Sequence, residues 1–227
     1  MKILCVADHV DPLVYSQAVR TRFGDVRFVL SAGDLPMEYL GFISASLNKR
    51  IFFVFGNHHL KHLERFRKPR TQVTDVFAEY QRDTRFRNYF GSTHIDRKVI
   101  HHERVLIAGL GGCRRYNKGE NQYTELQMFL QILLMAPRLL WNRIRHGRYV
   151  DILLTHAPPF GMNDRPDPTH VGFKAFVWFM ERFRPSFLLH GHVHLYDINA
   201  ERAVSYRDTT IINVYDHYVL EFPTSER

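Results

Sequence analysis

Cysteine is scarce in this 227-residue chain: only Cys5 and Cys113 occur, too few for a disulfide framework or a four-cysteine zinc site. No apolar run approaches the ~20 residues of a membrane-spanning helix. The most apolar stretch, Leu126 to Ala136, is interrupted by Gln127 and Gln131. The opening residues Met1 to Ala7 meet Asp8-His9 before a signal peptide's apolar region can develop, so a cytoplasmic location is expected. Acidic residues are the minority, with 31 Lys+Arg against 23 Asp+Glu and a net charge of +8. Apolar residues at 45% and charged residues at 24% exclude a disordered chain, a collagen-like repeat and a coiled coil. With ~150 residues as a domain prior, a single unit over residues 1–227 is expected.

Histidine is what the chain has in excess, 14 in all. It is the commonest neutral metal ligand and the usual acid/base near neutral pH. His62, His101, His102 and His146 sit in polar, basic surroundings and read as surface residues. The others of interest end apolar runs. Ile3–Ala7 closes in Asp8-His9, Val26–Ala32 in Gly33-Asp34, and Ile51–Phe55 in Gly56-Asn57-His58-His59. Asp151–Thr155 closes in His156-Ala157-Pro158-Pro159, and Ser186–Leu189 in His190-Gly191-His192-Val193-His194. Such short Val, Ile and Phe-rich runs read as buried strands. Pro12–Phe23 and Pro36–Asn48 between them read as helices with proline near the start. That alternation is α/β, and open α/β sheets bind ligands at the carboxyl ends of their strands.

Farther on, Val99–Ile100 and Arg104–Ala108 read as antiparallel strands. Pro137 divides Asn121–His146 into two helical pieces. Ala203–Tyr206, Thr210–Val214 and Tyr218–Phe222 read as strands of a second sheet. Residues 61–90, dense in Arg and aromatics, suggest a lid or a loop with a helix.

The strand ends gather Asp8, Asp34, Asn57, His58, His156, His192 and His194. Carboxylate, amide and imidazole donors form the mixed ligand set of Mn, Fe or Zn rather than Ca. A His-x-His pair alone is weak, because alternate strand residues face one way for geometric reasons. Five such groups in order, each closing an apolar strand, are hard to assign to chance.

These motifs resemble the calcineurin-like metallophosphoesterases, over residues 1–200. The resemblance implies an α/β fold, a four-layer αββα sandwich with two mixed β-sheets, with 121–146 as a helical insertion. It also implies two divalent transition-metal ions, Mn first and Fe or Zn as alternatives. In that reading Asp34 bridges the ions. Asn57, His156 and His192 hold one, and Asp8 and His194 hold the other. His58 serves as general acid toward the leaving group or supports the phosphate. One departure stands out: the family's Asp-x-His here reads Asp8-His9-Val10, with Asp11 next. Asp11 could supply the missing ligand, or the Asp8/His194 site binds its ion weakly. His59 also stands where the family commonly has an acidic residue.

Arg114 and Arg115 could hold a substrate phosphate, or form an ordinary solvated turn. Cys113 reads as packed rather than nucleophilic. The leading function is a metal-dependent phosphohydrolase acting on a phosphodiester, phosphomonoester or pyrophosphate. The alternatives are a nuclease or nucleic-acid binder, which the net charge and the Arg/aromatic stretch suggest, and a degenerate fold used to bind proteins. The expected partner is a phosphorylated small molecule or a lipid-linked substrate, nucleic acid being disfavoured. Leu126–Ala136 fits a core helix. Leu140, Trp141 and Ile144 opposite Arg138 and Arg145 fit peripheral contact with the inner membrane surface.

Overall fold

The computed structural model describes residues 1–67, 88–197 and 199–223. Among these, fourteen strands and five α-helices build two six-stranded mixed sheets and one small two-stranded sheet. The first sheet contains β1 (Lys2–Ala7), β2 (Val29–Ser31), β3 (Ile51–Phe53), β4 (Asn88–Tyr89), β5 (Ser92–His94) and β14 (Asp216–Glu221), in the order β14-β1-β2-β3-β5-β4. The second contains β6 (Lys98–His102), β7 (Val105–Leu110), β10 (Ile152–Thr155), β11 (Phe187–His190), β12 (Ala203–Tyr206) and β13 (Thr209–Asn213), ordered β12-β13-β11-β10-β7-β6. In each, four parallel strands are flanked by an antiparallel edge strand on either side.

The period-two geometry of a strand explains the layering. In β1, Ile3, Cys5 and Ala7 enter one apolar cluster with Ile107 of β7, Ile152 and Leu154 of β10 and Ile212 of β13. That cluster glues sheet to sheet. Leu4 and Val6 point the other way, onto α1 (Val19–Phe23) and α2 (Met37–Leu47). Ala108, Leu153, Leu188 and Ile211 likewise leave the second sheet toward α4 (Glu125–His146) and α5 (Lys174–Phe183). The result is the expected αββα sandwich.

Three elements depart from the sequence reading. The helix expected over Pro12–Phe23 is confined to α1, because Asp11 organises a turn instead. Its carboxylate accepts the Leu13 N–H at 2.7 Å and its carbonyl accepts Val14 and Tyr15, a local competition that defeats helix initiation. The last strand, β14, is not part of the second sheet but pairs antiparallel with β1 in the first. The left-handed backbone at Asp216, φ 62°, turns the chain out of the second sheet, and Leu220 still reaches the shared core.

Pro137 does not divide the helical segment: α4 is continuous from Glu125 to His146. An interior proline costs ~3 kcal/mol, whereas burying Met128, Ile132, Met135 and Leu139 returns about 1.5–3 kcal/mol each. A Thr124/Gln127 capping box and left-handed Gly147 close its two ends. Together with α5 it forms the outer layer of the second sheet, and its one buried face bears out half of the core reading. The surface reading of His102 is also corrected, since its ring is wedged edge-on between Phe28 and Phe52. The region read as a lid or a loop with a helix, residues 61–90, begins within a 3₁₀ turn (Leu60–His62) that leads into α3 (Leu63–Arg67). Residues 68–87 lie outside the described residues.

Candidate metal centre

The carboxyl ends of β1, β2, β3, β10 and β11 meet at one edge of the sandwich. There the chain leaves ordinary strand geometry: Asp8, Asp34 and His192 are all left-handed, with φ of 65°, 55° and 68°. Asp and His tolerate this region better than most residues, and it swings their side chains off the strand axes into common space. The motif glycines make room. A Cβ on Gly56 would collide with the Asp34 carboxylate and the His156 ring, and one on Gly191 with the Asp8 carboxylate.

Asp34, His156 and His192 offer ligand atoms that all lie within 4.8 Å of one another. His156 Nε2 stands 3.1 Å from Asn57 Oδ1, 3.1 Å from His192 Nδ1 and 3.3 Å from Asp34 Oδ2. Each ring's other nitrogen donates to a backbone carbonyl. His156 Nδ1 donates to Ala32 at 2.8 Å and His192 Nε2 to Thr169 at 2.7 Å. A carbonyl only accepts, so these two nitrogens carry protons. His192 Nδ1 is then left to turn a lone pair to the cluster, and His156 Nε2 does so once its second proton leaves, the outer-shell arrangement typical of metal-binding histidines. The His58 N–H holds Asp34 Oδ1 at 2.7 Å, leaving Oδ2 on the cluster side. Four convergent lone-pair donors of O and N type fit a divalent ion of borderline softness.

Charge balance supports that fit. Burial would raise Asp34, but the charge and hydrogen bond of His156 and the His58 N–H carry it down to about 2. Burial, then the neighbouring His156 charge, presses His192 down to about 3. Burial also opposes a charged His156, yet the Asp34 and Asp8 carboxylates outweigh it and raise the ring to about 9. At neutral pH Asp34 and His192 are therefore already in ligating form. His156 must give up a proton to a cation.

Asp8 and His194 stand apart from this group. Burial lifts the Asp8 carboxyl to about 7, with His156 relieving part of the penalty. Its Oδ2 accepts the His192 N–H at 2.9 Å, while Oδ1 is buried with no hydrogen-bond partner. Oδ1 faces His156 Nδ1 at 4.0 Å but accepts no hydrogen bond, and such a buried carboxylate oxygen is costly unless it meets a cation, so Asp8 also fits a ligand role. His194 is half-buried, its Nδ1 3.0 Å from the Tyr196 hydroxyl and its ring against Tyr215. Asp11 does not fill the gap left by Val10: one oxygen serves Leu13 and the other pairs with His217. Val10 packs against the α1/α2 cluster, and His9 points outward to Asp216 at 2.7 Å.

The His58 side chain is exposed beside the cluster, as is His59, which is left-handed. Cys113 is buried among apolar residues, and that burial, with Asp34 nearby, pushes its thiol up to about 12. Arg115 bonds to the Gln122 carbonyl and the Gln127 side chain, a structural use. The Arg114 side chain, half-buried, makes no hydrogen bond or ion pair among the described residues.

Sequence reasoning passed over Tyr116, whose hydroxyl lies 3.2 Å from Asn57 Nδ2 and so aims Oδ1 at the cluster. It also missed Asn121, which donates to the carbonyls of Phe55 and Gly56 just before Asn57. The Thr169 carbonyl was missed as well. Asp167 holds it in place by accepting both the Thr169 and His170 N–H groups. The Asn/Asp/Pro-rich composition of 163–168 is a local mark of a loop, but it says nothing of the loop's target.

The calcineurin-like phosphoesterase family matches residues 1–196 of the chain. Comparison with curated proteins gives no sequence match. One crystal structure superposes with a TM-score of 0.62 at 14% identity, covering 96% of this chain and 94% of its own. The crystal structure of TT1561 of Thermus thermophilus superposes with a TM-score of 0.58 at 11% identity, covering 95% of this chain and 89% of its own. At such identities these two likenesses speak for the fold alone. The family match spans most of the chain and every strand end that carries a candidate ligand, and the chain belongs to the calcineurin-like phosphoesterases, metal-dependent hydrolases of phosphoester bonds.

Proposed function

We propose that the chain hydrolyses a phosphodiester, phosphomonoester or pyrophosphate bond of a small or lipid-linked substrate, with two divalent ions, Mn the first choice, and His58 as general acid. The observation that carries this reading is the meeting of Asp34, Asn57, His156 and His192 with both imidazole tautomers fixed by backbone carbonyls. Ions held there would supply Lewis acidity toward a phosphoryl oxygen and activate the attacking water. Asp34, which can offer two oxygens, is the residue suited to bridge them, and Asn57 adds a ligand without adding negative charge. Asp8 with His194 would hold the second ion, less firmly for want of a histidine at position 10. His58 is tethered by its own N–H to Asp34 while its ring stays in solvent, a position suited to protonating a leaving oxygen. Arg114, whose guanidinium has no partner among the described residues, is the candidate to hold a substrate phosphate. Both cysteines are free and buried in strands, in keeping with work in a reducing cytoplasm.

The test is turnover of an aryl phosphodiester, an aryl phosphomonoester and a nucleotide pyrophosphate by Mn-reconstituted protein, with and without chelator. Chelator-sensitive hydrolysis of one of these is expected. Full activity in excess chelator would overturn the reading.

A further inference from the structure

Helix α4 is apolar on the side that faces away from the protein. At 100° per residue, Met128, Ile132, Met135 and Leu139 fall on one side and enter the core. Leu126, Leu130, Leu134, Leu140, Trp141 and Ile144 fall on the other and are exposed, Leu134 and Ile144 by nearly four-fifths. The outward stripe runs about 27 Å along the helix at 1.5 Å per residue. Of the twelve large apolar side chains exposed among the described residues, seven belong to this one helix, so the patch is not scatter. Contiguous apolar surface of this kind marks an interaction site.

Charge selects the partner. Arg138 and Arg145 lie along one border of the stripe and Arg143 along the other. Arg138 and Arg145 make no ion pair among the described residues. No acidic residue follows Glu125 within the helix, and Glu125 itself is turned inward, accepting the N–H groups of Lys174 and Ala175 at 3.0 and 3.2 Å. A second copy of the chain, docked by the same face about a two-fold axis, would bring these basic borders together. At the amino-terminal end the apolar surface continues into an open groove of 440 Å³ lined by Glu125, Leu126, Phe129, Lys174, Ala175 and Trp178. No helix of the described residues is long and apolar enough to cross a membrane.

We infer that α4 is a docking surface for an anionic lipid bilayer, lying in the interface with its leucines, Trp141 and Ile144 in the acyl boundary and its arginines at the headgroups. An apolar face bordered by arginine is the pattern by which helices lie on membranes without spanning them, and anionic headgroups attract the border charges. The first turn of this helix adjoins the Arg115–Tyr116 loop through the Arg115–Gln127 hydrogen bond of 3.1 Å. Docking is therefore expected to hold the candidate metal centre's rim near the lipid surface. The inference does not depend on which phosphoester is cleaved.

Flotation of the full chain with vesicles of phosphatidylcholine and phosphatidylglycerol in equal parts tests it. Native protein should float at low salt, be released at high salt and stay behind with pure phosphatidylcholine. Leu134→Glu with Ile144→Glu should abolish flotation, and Arg138→Gln with Arg145→Gln should weaken partitioning on the order of 30-fold, about 5-fold per arginine. Unchanged thermal melting would show that both variants keep the fold. Native protein that remains soluble with excess anionic vesicles at low salt, or that floats equally on phosphatidylcholine, overturns the inference. So does a native dimer, seen by sedimentation equilibrium, that Leu134→Glu with Ile144→Glu splits, since the face would then belong to a second copy.

Discussion

His156 and His192 each give one ring nitrogen to a backbone carbonyl and turn the other toward Asp34 and Asn57, whereas His194 is half-buried and engaged with Tyr196. On the first side Asp34 and both histidines are oriented by backbone groups, and Asn57 by the Tyr116 hydroxyl. On the second, the Asp8 side chain is buried with one oxygen lacking a hydrogen bond, Val10 contributes packing, and Asp11 is committed to Leu13 and His217. A preoriented donor set loses little freedom on binding an ion, while a set that must rearrange loses affinity to it. On the proposed two-ion reading, the difference predicts a tight ion on the Asp34, Asn57, His156 and His192 side and an exchangeable one at Asp8 and His194.

On the proposed reading Asp34 serves both halves, so Asp34→Ala should cost most. Loss of both metal binding and turnover is expected, roughly 10³–10⁵-fold in kcat, the several kcal/mol that metal ions supply. Atomic absorption alongside kinetics would check it, and a metal-replete variant that still turns over would dissolve the comparison. His58→Ala should sharpen it from outside, leaving metal content unchanged while kcat falls roughly 10²–10⁴-fold. Loss of metal in that variant would make His58 a ligand instead of an acid.

The preoriented half also predicts a pH dependence. Its His156 is raised to about 9, so below that pH a proton competes with the ion. Metal affinity should climb by ~10-fold per unit from about pH 6 to about pH 8, with proton release on binding, as calorimetry in buffers of different ionisation heat would register. Affinity flat across that range would mean His156 binds no proton that the ion displaces. Tyr116→Phe is the smallest change: Asn57 keeps its place but loses its orienting acceptor, and metal affinity should fall by roughly 10-fold. An unchanged affinity would leave Asn57 oriented by the chain alone.

Much of this was legible in the residues because apolar runs and the polar groups that close them are local features. Asp8, Asp34, Asn57, His156 and His192 were all expected at strand ends, and there they are. What the pattern could not say is which partner a strand takes. Tyr218–Phe222 reads equally well in either sheet, and only the turn at Asp216 sends it to β1. Tyr116 and the Thr169 carbonyl act on ligands 59 and 23 positions away, and nothing in their own neighbourhoods announces the target. Pro137 misled for the opposite reason, as a strong local rule outweighed by burial of four neighbours that hydropathy alone could not assign to one face.

Titration of metal-free native protein with Mn, set beside Val10→His, tests the central contrast most directly. The account predicts one tight and one loose ion in the native chain, activity following the loose one, and a tighter second ion when Val10→His restores the missing imidazole. Two equally tight ions in the native protein, or a second affinity that Val10→His leaves unmoved, would contradict it.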